Sequence, residues 1–286
     1  PSDWVAVNFV SKHMNNLSLL EVLIHGSDCL WEVLKLLQNR CIAQLTLKLV
    51  AKPDGDEIEY VFNTLKDTQC TRNHKHTNLS LLTLQGFCVS DEVMAKICQF
   101  FKTKQASHLQ VLRLISNKIR PSGIYSYLCK ALQDERCKLN FLSLRKNEIG
   151  DEGVCVLFED CIAKEHCNLT GLHLGENSLT DKCFPRLCKA LQDERCKLNF
   201  LSLRENEIGD EGACVLFEDG IAQEHCKLTE LDLSRNSLTD KCIPILCKVL
   251  QDERCKLTKL SLRFQYFTED GEKMLSDVQK CNCCEA

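Results

Sequence analysis

Thiols and imidazoles are the first residues in this chain to weigh for chemistry. There are 21 cysteines and 8 histidines among 286 residues, and a thiolate can bind metal, attack carbon or close a disulfide. Cys70, His74 and His76 lie close enough together to suggest zinc, but no fourth ligand follows at a matching spacing, so a solvated loop without metal is expected. His166 and His225 sit 59 residues apart in identical surroundings, as repeated structural residues do. The serines fall on strand faces without a paired His or Asp, so neither a catalytic constellation nor a cofactor is expected. No G-x-x-x-x-G-K-[ST] occurs, which excludes a P-loop in this stretch. Cys283 stands fourth from the end, where a prenylation signal would place it, but Glu285 occupies a position that should be aliphatic. A frayed end fits the tail better.

Recognition, rather than catalysis, is what the remaining residue types suggest. Phe141 and Arg145 recur as Phe200 and Arg204, each pair split by a serine. With Arg113, His173, Asp232 and Arg263 they form the candidate partner-binding set, because exposed aromatics and arginines are enriched where proteins bind one another.

The elements that must position these residues come from a repeat. Residues 139–197 and 198–256 align without a gap, with 47 of 59 pairs identical. Inside each copy a shorter period runs, since Leu139, Leu142, Leu144, Asn147 and Ile149 return as Leu169, Leu172, Leu174, Asn177 and Leu179. The pattern L-x-x-L-x-L-x-x-N-x-L, at alternating steps of 30 and 29 residues, is that of a leucine-rich repeat, in which a short strand and a helix make one turn of a solenoid. Leucines at positions 4 and 6 point to one strand face, so Leu142 and Leu144 go inward while Phe141, Ser143 and Arg145 go outward. Each unit has one apolar side that only its neighbours can cover. Position 9 suits an amide that satisfies backbone groups in a turn, and Asn117, Asn147, Asn177, Asn206 and Asn236 should form a structural ladder.

The expected fold is therefore α/β, a leucine-rich repeat horseshoe with a parallel concave sheet and convex helices. It divides into a helical lead-in and degenerate capping repeat over 1–41, repeats over 42–267 that become regular at 79, and a C-terminal helix with a Cys-rich tail over 268–286. Ser2 can cap a first helix carrying Trp4, Val7, Val10 and Met14. Leu17, Leu20 and Val22 take strand positions, a helix follows from about 28 to 39, and Ile42, Leu45, Leu47 and Val50 begin the next unit. The step from 42 to 79 is longer than the rest, which puts an insertion at 51–56 or 70–77. Phe87 and Gln265 replace the ladder asparagine in the units at Leu79 and Leu257. Helices are expected over 152–163 and 183–191, with Pro185 and Pro244 restricting their starts, Gly153 and Gly212 marking the alternate helix type, and a last helix over 268–278.

Composition narrows the partners. Thirty-six Lys and Arg against 40 Asp and Glu leave a net charge of −4, so neither specific nucleic-acid binding nor a membrane is indicated. The outward positions 3, 5, 7 and 8 from Leu79 onward carry Arg113, Arg145, Lys146, Arg204, Arg235, Lys259 and Arg263 against Glu176, Glu205, Glu230 and Asp232. That excess of cations, beside phenylalanines, favours an acidic, partly apolar protein surface. Cys137, Cys167, Cys196, Cys226 and Cys255 precede each unit at one fixed position, while Cys183, Cys188, Cys242 and Cys247 fall on the helical face. Such registered thiols read as small buried hydrophobes in a reducing compartment, with a cytoplasmic location. The absence of a signal peptide agrees, and an opening at Pro1 without Met reads as a piece of a longer protein.

The stretch CKLNFLSLRKNEIGDEGVCVLFEDCIAKEHCNLTGLHLGENSLTDKC resembles ribonuclease-inhibitor-type repeats, most of all the C-terminal repeats of NOD-like receptors, and the lead-in PSDWVAVNFV is similar to the segment that enters those repeats. The resemblance implies an intracellular sensor of innate immunity whose repeats bind a protein ligand or hold the receptor's ATPase module inactive. Two alternatives share the repeat type: a protein inhibitor like ribonuclease inhibitor, which would bind a basic ribonuclease, and a GTPase-activating protein of the Ran type, whose long acidic tail is missing from 271–286.

Overall fold

A computed structural model describes residues 19–25, 30–31, 33–34, 42–50, 57–67, 79–103 and 106–277. Among the described residues nine parallel strands stand side by side in chain order, in one open sheet. They are β1 (Leu19–Ile24), β2 (Gln44–Leu49), β3 (Leu81–Gln85), β4 (Val111–Ile115), β5 (Phe141–Ser143), β6 (Gly171–His173), β7 (Phe200–Ser202), β8 (Glu230–Asp232) and β9 (Lys259–Ser261). Parallel neighbours need a crossover, and here each crossover from β2 onward carries a helix, all on the same side of the sheet. The helices are α1 (Glu57–Asp67), α2 (Asp91–Phe100), α3 (121–132), α4 (150–162), α5 (Phe184–Leu191), α6 (210–221), α7 (Ile243–Gln251) and α8 (Glu269–Ser276). The horseshoe read from the leucine spacing is the observed fold.

The core is the stack of position-4 and position-6 leucines. Leu82, Leu84, Leu112, Leu114, Leu142, Leu144, Leu172, Leu174, Leu201 and Leu203 are all fully buried, roofed by Phe158, Phe184 and Phe217 from the helices. Burying one such side chain contributes about 1.5–3 kcal/mol, and a single unit has nothing to bury it against. Pro185 and Pro244 occupy the first turns of α5 and α7, each helix preceded by a 3-10 turn capped by Thr180 or Thr239. Helix α4 begins at Gly150, two residues before the expected start, and its end, Phe158–Ile162, is a wider π-helical turn. The last helix begins after the cap Thr268 and stops at Ser276.

The asparagine ladder is present. Asn206 Oδ1 accepts from the amides of Asn177 (2.9 Å) and Leu179 (3.1 Å), while its Nδ2 donates to Leu174 O and Leu203 O. Asn117, Asn147 and Asn236 bridge neighbouring units in the same way. Gln265 takes the asparagine's part: its Nε2 donates to Leu233 O at 2.6 Å and its Oε1 accepts from Leu238 N at 3.2 Å. Phe87 instead fills its position with apolar bulk and offers only its amide, to Asn117 Oδ1. One rung is incomplete. Asn177 Oδ1 is buried without a partner; at this rung Gly150 turns to φ +58° and sends its N–H to the Asn177 carbonyl, whereas its equivalent Gly209 stays extended and donates to Asp181.

A second ladder runs along the helix starts. Asp151 accepts from the amide and hydroxyl of Thr180 at 2.8 and 2.6 Å, Asp210 does the same for Thr239, and Asp240 accepts from both groups of Thr268. Each aspartate thus ties its helix to the next unit's entry, a link the leucine pattern does not announce.

Several expectations need correction. Ser143 and Ser202 face the concave side as expected but are only 4% and 1% exposed, since each short side chain lies in register between longer neighbours: Arg113 and His173 for one, His173 and Asp232 for the other. Val50 is 58% exposed, because β2 continues to Leu49, which goes inward and sends the next residue out. Cys247 is half-buried rather than enclosed. The helix at Trp4, the loops at 51–56 and 70–77 with Cys70, His74 and His76, and the tail at Cys283 lie outside the described residues.

Candidate concave interaction surface

Strand register assembles the concave surface from rows that cross the strands. Position 3 reads Leu81, Val111, Phe141, Gly171, Phe200, Glu230, Lys259 from β3 to β9, and position 5 reads Thr83, Arg113, Ser143, His173, Ser202, Asp232, Ser261. The first row is apolar as far as β7. It then ends in an ion pair, with Lys259 Nζ 3.7 Å from Glu230.

Two glycines in β6 and just beyond it shape the middle of this surface. A Cβ on Gly171 would come within 2.5 Å of the Phe141 ring, so the missing side chain is what lets Phe141 lean across β6 toward Phe200. The two rings meet at 5.9 Å between centroids, 31° from parallel, within the range in which aromatic pairs attract. A Cβ on Gly175 would come within 2.8 Å of His173 Cε1. The imidazole therefore lies along the strand, and its Nδ1 accepts the Gly175 amide at 3.1 Å. Flat rings pave the sheet where side chains would otherwise stand up. In the second copy Glu230 and Ser234 replace these glycines, so the paving exists once.

Charge surrounds the paving. The Arg113 guanidinium lies 5.8 Å from the Phe141 centroid, an arrangement favoured by the ring's negative face. Arg145 Nε donates to Glu176 at 2.6 Å, and Lys146 approaches the same carboxylate at 3.6 Å. Arg204 has Glu205 at 3.9 Å. Burial, then the cations Arg145 and Arg204, push the His173 imidazole down to about 4 against the opposing pull of Asp232 and Glu176, so it is neutral at pH 7.

Of the expected binding residues, Arg113, Phe141, Arg145, His173, Phe200, Arg204 and Asp232 are brought together on β4 to β8. Arg263 stands apart and exposed past β9, where its carbonyl accepts from the amide of Arg235. Beside it the Arg235 guanidinium covers the exposed Phe264 ring at 4.4 Å. Phe264 and the glycines were missed by the sequence reading, which looked for side chains that protrude. Gly171 and Gly175 at outward positions of a single unit were the available signal.

The sheet also brings serine, histidine and aspartate side by side, which the spacing had not led us to expect. Their wiring is unlike that of a hydrolase: the buried Ser202 hydroxyl donates to Asp232 at 3.3 Å, and the His173 nitrogen that could take a proton holds a backbone amide instead. No disulfide joins the described cysteines, eleven of which are buried, and burial raises Cys98, Cys188 and Cys242 to about 12 and Cys137 and Cys196 to about 11. They are packing residues. Among the described residues no group of three or more His, Cys, Asp and Glu is placed to hold a metal, and no helix is long and apolar enough to cross a membrane.

The comparisons with known proteins agree with this architecture. A leucine-rich repeat family model matches residues 136–157 and 195–216, and a second matches 227–249. Human NACHT, LRR and PYD domains-containing protein 7 is 32% identical over 211 residues, 74% of this chain and 21% of that protein. Mouse NACHT, LRR and PYD domains-containing protein 9B is 32% identical over 176 residues, 61% of this chain and 17% of its own. Mouse ribonuclease inhibitor is 32% identical over 90 residues, 32% of this chain and 19% of the inhibitor. The chain thus spans about a fifth of the length of the relatives it matches. It is a leucine-rich repeat domain of the ribonuclease-inhibitor type that resembles the C-terminal repeats of NOD-like receptors.

Proposed function

We infer that this chain is the ligand-sensing or autoinhibitory repeat region of a cytoplasmic receptor of the NOD-like type. It acts without catalysis, by holding a protein on its concave surface. That protein is either a separate ligand or the ATPase module of the same full-length receptor. The observation that carries the reading is the pairing of Phe141 and Phe200 over Gly171, half-buried, with Arg113 against the Phe141 ring and Arg145 and Arg204 four residues farther along the chain. Half-exposed paired rings in an apolar row beside charged ones are what a binding hot spot needs: rigid apolar area with charge at its rim. The excess of cations disfavours a basic ribonuclease as the partner, since like charges repel approach. Numerous unpaired thiols support a reducing location.

The test places p-benzoylphenylalanine at position 200, and separately at position 248 on the outer side of α7, in the full-length protein within its own cells. Irradiation should give a discrete crosslink from position 200. An intramolecular product identifies the ATPase module and an intermolecular one a separate ligand. Discrete crosslinks from position 248 alone would overturn the concave reading.

A further inference from the structure

The geometry points to an amphipathic, acidic α-helix as the element that occupies the concave surface, lying across the strands with its N-terminus over β8 and its C-terminus over β4. This rests on the concave reading above and specifies the shape, chemistry and polarity of the partner.

Shape comes first. Between the row-3 rings of Phe141 and Phe200 and the row-7 cations Arg145 and Arg204, the row-5 floor is low: Ser143 and Ser202 are buried, and the His173 ring lies down over Gly175. Rows 3 and 7 lie four residues apart along the chain, about 13 Å at the rise of a strand, which matches the 10–12 Å width of a helix with its side chains. Along the other axis, strands repeat at about 4.8 Å and a helix at about 5.4 Å per turn. A helix crossing from β4 to β8 therefore makes about three and a half turns over about 19 Å, about 1.1 strand spacings to each turn, so its turns stay close to the strands along that span. An extended segment laid in the same direction has no such match, since its side chains alternate every residue.

Chemistry follows from the two flanks. Val111, Phe141 and Phe200 line one side. On β4 to β7 the other side and the near end hold Arg113, Arg145, Lys146 and Arg204 against Glu176 and Glu205. Neutral His173 adds no charge between them. A helix with an apolar stripe toward row 3 and carboxylates toward row 7 satisfies both flanks, in the helix-in-groove mode. The ends set its polarity. Arg113 closes the floor at β4, while Asp232 closes it at β8 beside Glu230 of row 3, and a helix carries partial negative charge at its C-terminus and positive charge at its N-terminus.

The probe is a displayed library rather than a guessed ligand. One library randomises the outer face of a single helix on a three-helix scaffold, and a second of equal size displays unstructured linear peptides; both are panned on the whole chain. Helix binders should converge on Asp or Glu along one flank and Leu, Ile or Phe along the other. They should lose at least tenfold in affinity against Phe200→Ser and against Arg204→Glu, and crosslink through their N-terminal third to p-benzoylphenylalanine at position 259. Enrichment of linear peptides alone, of basic helices, of helices indifferent to both substitutions, or of nothing overturns the proposal, as does a crosslink through the C-terminal third. Each of those failures leaves the concave reading standing if position 200 still crosslinks in cells, so the two ideas fail separately.

Discussion

Asn206 and Asn177 hold the same repeat position, yet their replacement by alanine should differ in cost, and in the order opposite to their burial. Asn177 is 1% exposed, while Asn206 is only partly buried. Removing the Asn206 side chain strips the acceptor from two amides, those of Asn177 and Leu179. A buried donor left unsatisfied costs about 1–3 kcal/mol, so the pair amounts to about 2–6 kcal/mol. The carbonyls to which Asn206 donates suffer less, because Leu174 O keeps Asn177 Nδ2 and Leu203 O keeps Asn236 Nδ2. Removing Asn177 orphans no amide, since its Oδ1 has no partner. Its carbonyl partners also keep other donors: Leu144 O has Asn147 Nδ2, Leu174 O has Asn206 Nδ2, and Gly175 O has the Lys146 amide. Asn177→Ala should then cost only about 1–2 kcal/mol for the donated bonds and a small cavity. Urea unfolding followed by circular dichroism measures both, provided the m-values agree, because repeat arrays can unfold in parts. An Asn177→Ala penalty equal to or larger than that of Asn206→Ala would refute the bond accounting and leave burial as the better guide.

Leu203→Ala, deep in the stack, should cost about 2–5 kcal/mol as other buried leucines do; wild-type stability in the same urea experiment would mean that position 6 does not point inward. Thiol counting should find the eleven buried cysteines slow to react in the native state, Cys88 fast as the exposed member of the described set, and all 21 reactive in denaturant; native disulfides in a non-reducing peptide map would contradict it. His173 has a folded pKa of about 4, below its ordinary value near 6.5, so the unfolded chain binds the proton first and stability is lost as pH falls from about 6.5 toward 4. The loss is about 1–3 kcal/mol after allowing for partial exposure, and His173→Asn should flatten that part of the profile while NMR titration reads the pKa directly; an imidazole titrating near 6.5 would show that the ring is not lying in the sheet. Changing Phe141, Arg145, Phe200 and Arg204 together to Ser or Glu should abolish capture of the helix binders yet leave the thermal midpoint nearly unmoved, and a collapse of that midpoint would make these residues part of the core instead.

What could be read from the chain alone followed its periodicity. Leu142, Leu144 and their successors had to face inward because one unit's apolar side needs the next, and the asparagines had to sit in a turn because the same spacing returned each time. The registered cysteines obeyed the same reasoning. Departures from the period were harder. Gln265 looked like a lost rung, but one more methylene still reaches both backbone partners. Ser143 and Ser202 face outward by alternation, and alternation says nothing of the longer residues beside them on neighbouring strands. The aspartate ladder was written at 151, 181, 210 and 240 as regularly as the asparagines. It was hidden because an acidic residue at a helix start has a sufficient local explanation in the helix dipole, while its partner lies 28 or 29 residues away.

The candidate site was legible in its residue types and not in its form, for a reason the duplication makes plain. Where the two copies agree, they agree on what any unit needs: the leucines, the Asn and Asp ladders, the capping threonines. Where they differ on the concave surface, the changes gather in one unit, with Gly171, His173, Gly175 and Glu176 set against Glu230, Asp232, Ser234 and Arg235. Phe141 and Phe200 are themselves a repeated pair, and the repeat alone would space them two strands apart with a residue standing between. A glycine that does not recur joins them. A regular solenoid supplies identical positions along its length, so a site that reads one partner in one place must be built from the exceptions, and here the exceptions are two missing side chains.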